Sequence, residues 1–265
     1  MSIIKDFTFN GRTASSFGVQ LADNSEWWAT PERDIEHISV PGRSGDLLID
    51  NGRFNNLEIT FEVNRLSDGR GLSDLINWLA LNPGYQRLSV SDDTDHYRMA
   101  SFEGLTQPVF GQLKKTATVS LAFNCKPQRF LVAGEEGEQI VAGTPLTITN
   151  YGDDAKPVIV FNNNGDTTTR VTVVDSAYPD DRLQLGAAPT AGATVTIDSN
   201  SMEVFTTSAG GEETHDGRAA WVVNDTWADH FGDQAPFITL KHGHTYTFNG
   251  LQGSTLTIYA RRWEL

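Results

Sequence analysis

Histidines, acidic side chains, a serine and two tryptophans stand where chemistry could occur in this 265-residue chain, and each has a competing structural explanation. Ser44 lies in Gly42-Arg43-Ser44-Gly45, which resembles part of a nucleophile elbow. The Gly-x-Ser-x-Gly spacing is missing and no helical pattern follows, so the segment reads as a glycine-rich turn between strands. His242 and His244 flank Gly243, and an extended backbone would place both imidazoles on one side. A metal site needs further converging ligands, and nothing local supplies them. The favoured reading is two histidines exposed or hydrogen-bonded on a turn. Asp216, Asp225, Asp229 and Asp233 lie near His215 and His230 in the turn-rich stretch 208–234. A glycosidase holds its carboxylate pair at a fixed separation on a rigid frame, which such a stretch does not offer. These acids read as solvating a long hairpin. Trp221 and Trp227 in the same stretch could stack on saccharide faces, or else cover the edge of a sandwich or anchor the loop. Asp92-Asp93-Thr94-Asp95 lacks the glycine and distal glutamate of an EF-hand and reads as a turn. No phosphate-binding Gly-x-x-x-x-Gly-Lys run exists. The expectation is a protein that is not an enzyme and carries no cofactor and no metal.

The elements around these residues read mainly as strands. Residues 3–9 alternate into Asn10-Gly11, a dipeptide suited to a hairpin turn with positive φ. In residues 56–63, Leu57, Ile59, Phe61 and Val63 share one face and Glu58, Thr60 and Glu62 the other, the period of a half-buried strand. Residues 116–123, 169–174, 194–198, 237–240 and 254–259 repeat the pattern. Leu72, Leu75, Ile76 and Leu79 make an apolar stripe at helical spacing, and Asn82-Pro83-Gly84 stops it. A single helix among many short strands predicts a β-rich domain with the helix packed on a sheet. Residues 134–143 are charged and poor in apolar side chains, as in a linker or solvated hairpin tip, and the domain boundary is expected near Ala133 to Glu138. The expected domains are 1–133 and 134–265, the second an all-β sandwich or jelly roll.

Composition narrows the partners. With 20 Lys and Arg against 34 Asp and Glu the formal charge is −14, the wrong sign for displacing counterions from phosphates, so no nucleic acid is expected. The charge is uneven: residues 1–133 hold 13 basic and 16 acidic residues, and 134–265 hold 7 and 18. An apolar content of 38% suffices for a core. Cys125 alone can form neither an internal disulfide nor a multi-cysteine metal site, and burial as a small hydrophobe is its expected fate. The N-terminus has no signal-peptide apolar region and no stretch approaches the roughly 18 apolar residues of a membrane span, so no membrane partner is expected.

An ordered series of short motifs then carries a resemblance. Phe9-Asn10-Gly11, Ser16-Phe17-Gly18-Val19, Asp34-Ile35-Glu36, Val40-Pro41-Gly42-Arg43-Ser44-Gly45-Asp46-Leu47 and the strand 55–61 come first. The helix at 72–81, Pro83-Gly84-Tyr85-Gln86-Arg87-Leu88, Tyr97-Arg98-Met99-Ala100 and Phe123-Asn124-Cys125-Lys126-Pro127 follow. Thr149-Asn150-Tyr151-Gly152, Lys156-Pro157-Val158-Ile159, Ile197-Asp198-Ser199, Leu240-Lys241-His242-Gly243 and Arg261-Arg262-Trp263-Glu264-Leu265 complete it. Together they resemble the distal tail protein (Dit) family of long-tailed, siphovirus-type phages or prophages. The resemblance implies an N-terminal β-sandwich-like domain with one helix, followed by a C-terminal galectin-like β-sandwich. It implies a homohexameric ring at the distal end of the tail tube, in a virion made in a bacterial cytoplasm. The implied partners are the tail tube protein, the tape-measure protein, the tail-associated tip protein and a receptor-binding protein. Ring contacts fall to residues 1–133, the half nearer charge balance, with Val40, Pro41, Gly42, Arg43, Ser44 and Gly45 as interface candidates. The alternative is a carbohydrate-binding protein that meets host saccharide through the second sandwich, with Trp221 or Trp227 as stacking platform. Residues 201–236 exceed a minimal connection and are expected to form a projecting hairpin or Ω-loop.

Overall fold

The apolar alternation at 57–63 forms the strand it predicts: Leu57, Ile59, Phe61 and Val63 are buried along Leu57–Arg65. The computed structural model describes residues 5–22, 26–65, 70–106, 108–110, 117–140, 144–163, 169–187, 192–216, 237–250 and 254–265. Contacts divide the chain between Arg129 and Phe130 into a first unit, joined by Leu265, and a second.

The first unit runs β1 (Phe7–Phe9), β2 (Arg12–Thr13), a 3-10 turn (Ala14–Phe17), β3 (Val19–Leu21), β4 (Arg33–Ile38), β5 (Leu47–Phe54), β6 (Leu57–Arg65), α1 (Arg70–Ala80), β7 (Gln86–Val90), β8 (Asp93–Leu105), β9 (Val109–Phe110) and β10 (Ala117–Leu131). The division falls inside β10. One sheet takes the order β2-β1-β7-β8-β10-β6-β3, with β9 also on β10. Asn10 (φ 47°) and Gly11 (φ 75°) make the turn between β1 and β2, as the dipeptide predicts. β6 and β10 pair antiparallel so that Leu57, Ile59, Phe61 and Val63 face Cys125, Phe123, Leu121 and Val119. Phe123 is the hub of the core, its ring 5.9, 5.5, 5.6 and 5.6 Å from those of Phe7, Phe9, Phe61 and Phe102. On α1, Leu75 and Leu79 are buried, and Trp78 stacks on Phe17 at 4.8 Å. The helix therefore covers the sheet, and its stripe does the packing the spacing implied.

Asp92 to Asp95 is more than a turn. Asp93 begins β8 and is buried, because its carboxylate accepts from Trp27 Nε1 at 2.9 Å and lies 2.7 Å from His96 Nδ1.

The second unit holds β11 (Glu138–Ile140), β12 (Leu146–Thr149), β13 (Val158–Asn163), β14 (Thr169–Asp175), β15 (Tyr178–Ala187), β16 (Thr194–Asp198), β17 (Glu203–Thr207), β18 (Glu213–Asp216), β19 (Thr245–Gly250), β20 (Ser254–Tyr259) and β21 (Trp263–Glu264). One sheet is β11-β20-β13-β16-β17-β18 and the other β12-β19-β14-β15. Ile159, Ile197 and Ile258 from the first and Val173, Tyr246 and Phe248 from the second belong to one buried cluster, which makes the unit a sandwich. The mainly β class is thus as the sequence predicts. β21 pairs with the end of β10, where Leu131 N–H donates to the Arg262 carbonyl at 3.0 Å. A Cβ at Gly152 would collide with the Trp263 carbonyl, so this close approach requires glycine.

Two expectations need correction. The charged stretch 134–143 is not simply a linker: β11 joins the edge of the larger sheet because one apolar side chain, Ile140, reaches the core. Residues 237–240 form no strand. Phe237, Ile238 and Leu240 are buried, but only Leu240 makes a bridge, to Ala155, while Ile238 N–H donates to Ser199 Oγ. Within 201–236, β17 and β18 form a hairpin that extends the sheet, and residues 217–236 lie outside the described residues.

Truncating Phe123 to Ala removes the ring that four other aromatics touch, and should cost about 3–5 kcal/mol. Hydrogen exchange at the β6 and β10 amides would measure it; a loss below about 1 kcal/mol would contradict this packing.

Candidate assembly interface

Pro41 and Gly42 create the most exposed structure of the first unit. Proline presets φ at the second position of a type II turn, and the third requires positive φ, which Gly42 supplies at 80°. The Arg43 N–H donates to the Val40 carbonyl at 3.1 Å and closes the turn. Gly45 (φ 84°) completes the reversal. Val40 to Gly45 is consequently the tip of a two-stranded arm made of β4 and β5, which form a sheet of their own.

The arm's inner half is held by charge. Arg33 Nε donates to Asp50 at 2.6 Å and Arg53 Nε to Asp34 at 2.6 Å, crossing between the strands. The Gly52 N–H, donating at 2.8 Å, and then Arg33 hold the Asp50 carboxyl below its ordinary value. Arg53, then the Asn51 side chain, does the same for Asp34. The Asn55 N–H donates to the Glu32 carbonyl at 2.8 Å and ties the arm's base.

The outer half exposes apolar side chains beside Glu36 and His37. Register sets Ile35 opposite Asp50, Glu36 opposite Ile49, His37 opposite Leu48 and Ile38 opposite Leu47. One face therefore carries Ile35 and Leu48, and the other Ile38, Leu47 and Ile49. Leu48 is 59% exposed, Leu47 43% and Ile49 40%. A two-stranded ribbon buries little apolar surface of its own, and this one leaves apolar side chains exposed on both of its faces. Sequence reasoning singled out the tip and missed these strands. The available signal was Leu47-Leu48-Ile49, three consecutive apolar residues in a strand, which must place side chains on both faces.

At the root, buried polar groups fix the chain that enters the arm. Arg98 is 1% exposed and donates to the carbonyls of Ala29 at 3.1 Å and Pro127 at 3.0 Å; burial lowers its pKa. The Arg129 guanidinium lies 4.7 Å from the ring of the exposed Trp28. Burial tends to raise Asp93, but its bonds to Trp27 and His96 outweigh that and leave it lowered and ionised.

The other sequence candidates stay apart. Ser44 is on the exposed tip. His242 Nδ1 lies 2.6 Å from the Gly152 carbonyl and His244 Nδ1 2.9 Å from the buried Asp175, so both rings serve the turn around Gly243. His215 sits 3.2 Å from Glu213 on β18. Among the described residues no group of three or more His, Cys, Asp or Glu could hold a metal ion. No helix among them is long and apolar enough to cross a membrane. Trp221 and Trp227, with Asp225, Asp229, His230 and Asp233, lie outside the described residues. Cys125 is buried, and burial pushes its thiol up to about 12, away from reactivity.

No family model matches the sequence, and no curated protein matches it either. Solved structures do. The Dit protein (gp 19.1) of phage SPP1, described as a paradigm of the hub adsorption apparatus in phages infecting Gram-positive bacteria, is 14% identical with a TM-score of 0.65, over 97% of this chain and 98% of that one. A chain of the phage p2 baseplate in its activated conformation is 9% identical with a TM-score of 0.53, over 97% and 98%. The chain thus carries a Dit-like fold across nearly its whole length.

The lowered pKa of Asp50 has a measurable sign. Its contribution to the arm is complete above the ordinary carboxylate value of 3.8 and is lost as pH falls through the lower folded value. The Gly52 amide resonance should therefore titrate with a midpoint below 3.8; a midpoint at or above it would show that the contact does not form in solution.

Proposed function

We propose that this chain is the structural hub of a phage tail tip, and that its copies close into a homohexameric ring at the distal end of the tail tube. The observation that carries the reading is the arm, whose outer half exposes Ile35, Leu47, Leu48 and Ile49 on two faces while ion pairs cross between the strands of its inner half. The Dit-like fold supports it, since SPP1 Dit is described as a hub. A ring requires a heterologous contact, in which one patch meets a different patch of the next copy, and a protruding arm is such a patch.

Magnitudes favour the arm as the principal contact. Fully burying a leucine or isoleucine stabilises by about 1.5–3 kcal/mol, and several together offset much of the roughly 4–15 kcal/mol cost of association. Val40, Pro41, Gly42, Arg43, Ser44 and Gly45 form the leading edge of that contact. The ring then joins the tail tube, the tape-measure protein, the tail-associated tip protein and a receptor-binding protein, with the second sandwich as the part that carries most of the negative charge. No catalysis enters this role. The saccharide-binding alternative rests on Trp221 and Trp227, for which the structure offers no geometry.

Leu48→Glu tests the reading. Native mass spectrometry should show the ring replaced by monomer, with the monomer's own stability changed by no more than about 0.5 kcal/mol, as for an exposed substitution. An unmodified protein that stays monomeric at every concentration and does not join tail tubes would defeat the hub.

A further inference from the structure

We propose that the tip of the arm, residues 40–46 of one copy, docks in the groove between α1 and the 3-10 turn Ala14–Phe17 of the next copy. The inference rests on the ring reading and names the surface that receives the arm. Closure of a heterologous ring demands a second patch, different from the arm and complementary to it.

The groove has the required chemistry. Its volume is about 680 Å³, within the range of pockets that hold a ligand of several residues' bulk. The half-buried Trp78, backed at 4.8 Å by the buried Phe17, forms its aromatic wall, and Leu81 stands 78% exposed at the rim. The polar lining comes from Arg12, Ser16, Asp74, Asn77 and Asn82, of which Arg12 and Asp74 carry opposite charge. The Arg12 guanidinium lies 4.1 Å from the Phe17 ring and donates to Ser16 Oγ at 3.3 Å, and Asp74 stands one turn before Trp78 on α1. Aromatic walls of this kind accept proline and branched aliphatic side chains with little loss of freedom.

The tip is its counterpart. It offers Val40 and Pro41 as apolar leading residues, then Arg43 and Asp46. Among the described residues no ion pair involves Arg43 or Asp74, and Asp46 has only a long contact, 4.0 Å, with His37 Nδ1 on its own arm. Seating Val40 and Pro41 against Trp78 pairs Arg43 with Asp74 and leaves Asp46 for Arg12, so both charges on each side find the opposite sign. Reach is adequate: strands of six and eight residues span roughly 20–27 Å, close to the roughly 30 Å width of a small domain. The type II turn makes the tip rigid before docking, which reduces the ordering cost.

A designed disulfide tests the docking. Cys125 is buried, so the unmodified chain serves as the control without cross-links. A Val40→Cys/Leu81→Cys double variant, oxidised at ring-forming concentration, should give a ladder of covalent oligomers ending in a closed ring. Mixing the two single variants should give dimers only. Rings by native mass that form no ladder, or in which a maleimide labels Leu81→Cys as fast as in the monomer, would overturn the docking while leaving the hub intact. An unmodified chain that never forms rings removes both readings, and its mass alone distinguishes that outcome. As a cysteine-free measurement, Asp74→Lys should raise the concentration at which rings dissociate about tenfold, and adding Arg43→Asp should restore it. Losses that add instead of cancelling would overturn the pairing.

Discussion

The antiparallel pairing of β6 with β10 is the contact on which the first unit depends. Its register, from Ala117 opposite Arg65 to Cys125 opposite Leu57, places apolar side chains of both strands on one face. A shift by one residue would turn Ile59, Phe61, Leu121 and Phe123 outward together, so the buried aromatic cluster and the strand register enforce each other. β6 is also the continuation of the arm, two residues beyond Phe54. Whatever fixes β6 therefore fixes the direction in which β5 leaves the sheet.

The other strand of the arm enters through a different kind of anchor. Trp27 is buried and bonded to Asp93, and the Ala29 carbonyl accepts from the buried Arg98. Buried charges are costly unless hydrogen-bonded, and here an aspartate and an arginine of β8 bond to Trp27 and Ala29, a few residues before β4. Their bonds go to one indole, one imidazole and two carbonyls of defined position, which apolar contacts would leave free to slide. Such groups exchange stability for orientation, the property an arm must have to meet a partner at a fixed angle.

Much of this was legible in the amino-acid order. The alternation at 57–63, the helical stripe at Leu75, Ile76 and Leu79, and the Asn10-Gly11 turn appear where local periodicity places them, because burial on one face is a local pattern. Two features were not legible, for opposite reasons. Ile140 joins β11 to a sheet whose neighbour is β20, more than a hundred residues away, and one apolar residue in a charged stretch leaves no period to detect. Residues 237–240 alternate well yet gain only one bridge, because a strand needs a free edge to pair with and none is offered there beyond Ala155. Asp93 looked like turn chemistry because its partners, Trp27 and His96, are brought to it by the fold. The Val40 to Gly45 tip was legible as a turn, but the apolar strands behind it follow no alternation and so signalled nothing.

The lack of alternation is itself informative. An ordinary edge strand shows one apolar face to its core and one polar face to water, and avoids association by placing charge along its length. The arm divides these features along its axis instead. Near the root, Arg33, Asp34, Asp50 and Arg53 occupy the strands and satisfy one another, so that half keeps its register without any core beneath it. Toward the tip, Leu47, Leu48 and Ile49 are apolar groups that the unit itself leaves exposed, with Ile38 half-buried and Glu36 and His37 on the facing strand. A ribbon apolar throughout would pair with any exposed edge, and one charged throughout would have no affinity to offer. Splitting it concentrates the exposed apolar area in the distal half, at a distance from the unit set by strand length. A distal, two-sided apolar ribbon is satisfied by being enclosed rather than by lying against a flat surface, and this favours a partner that presents walls as well as a floor.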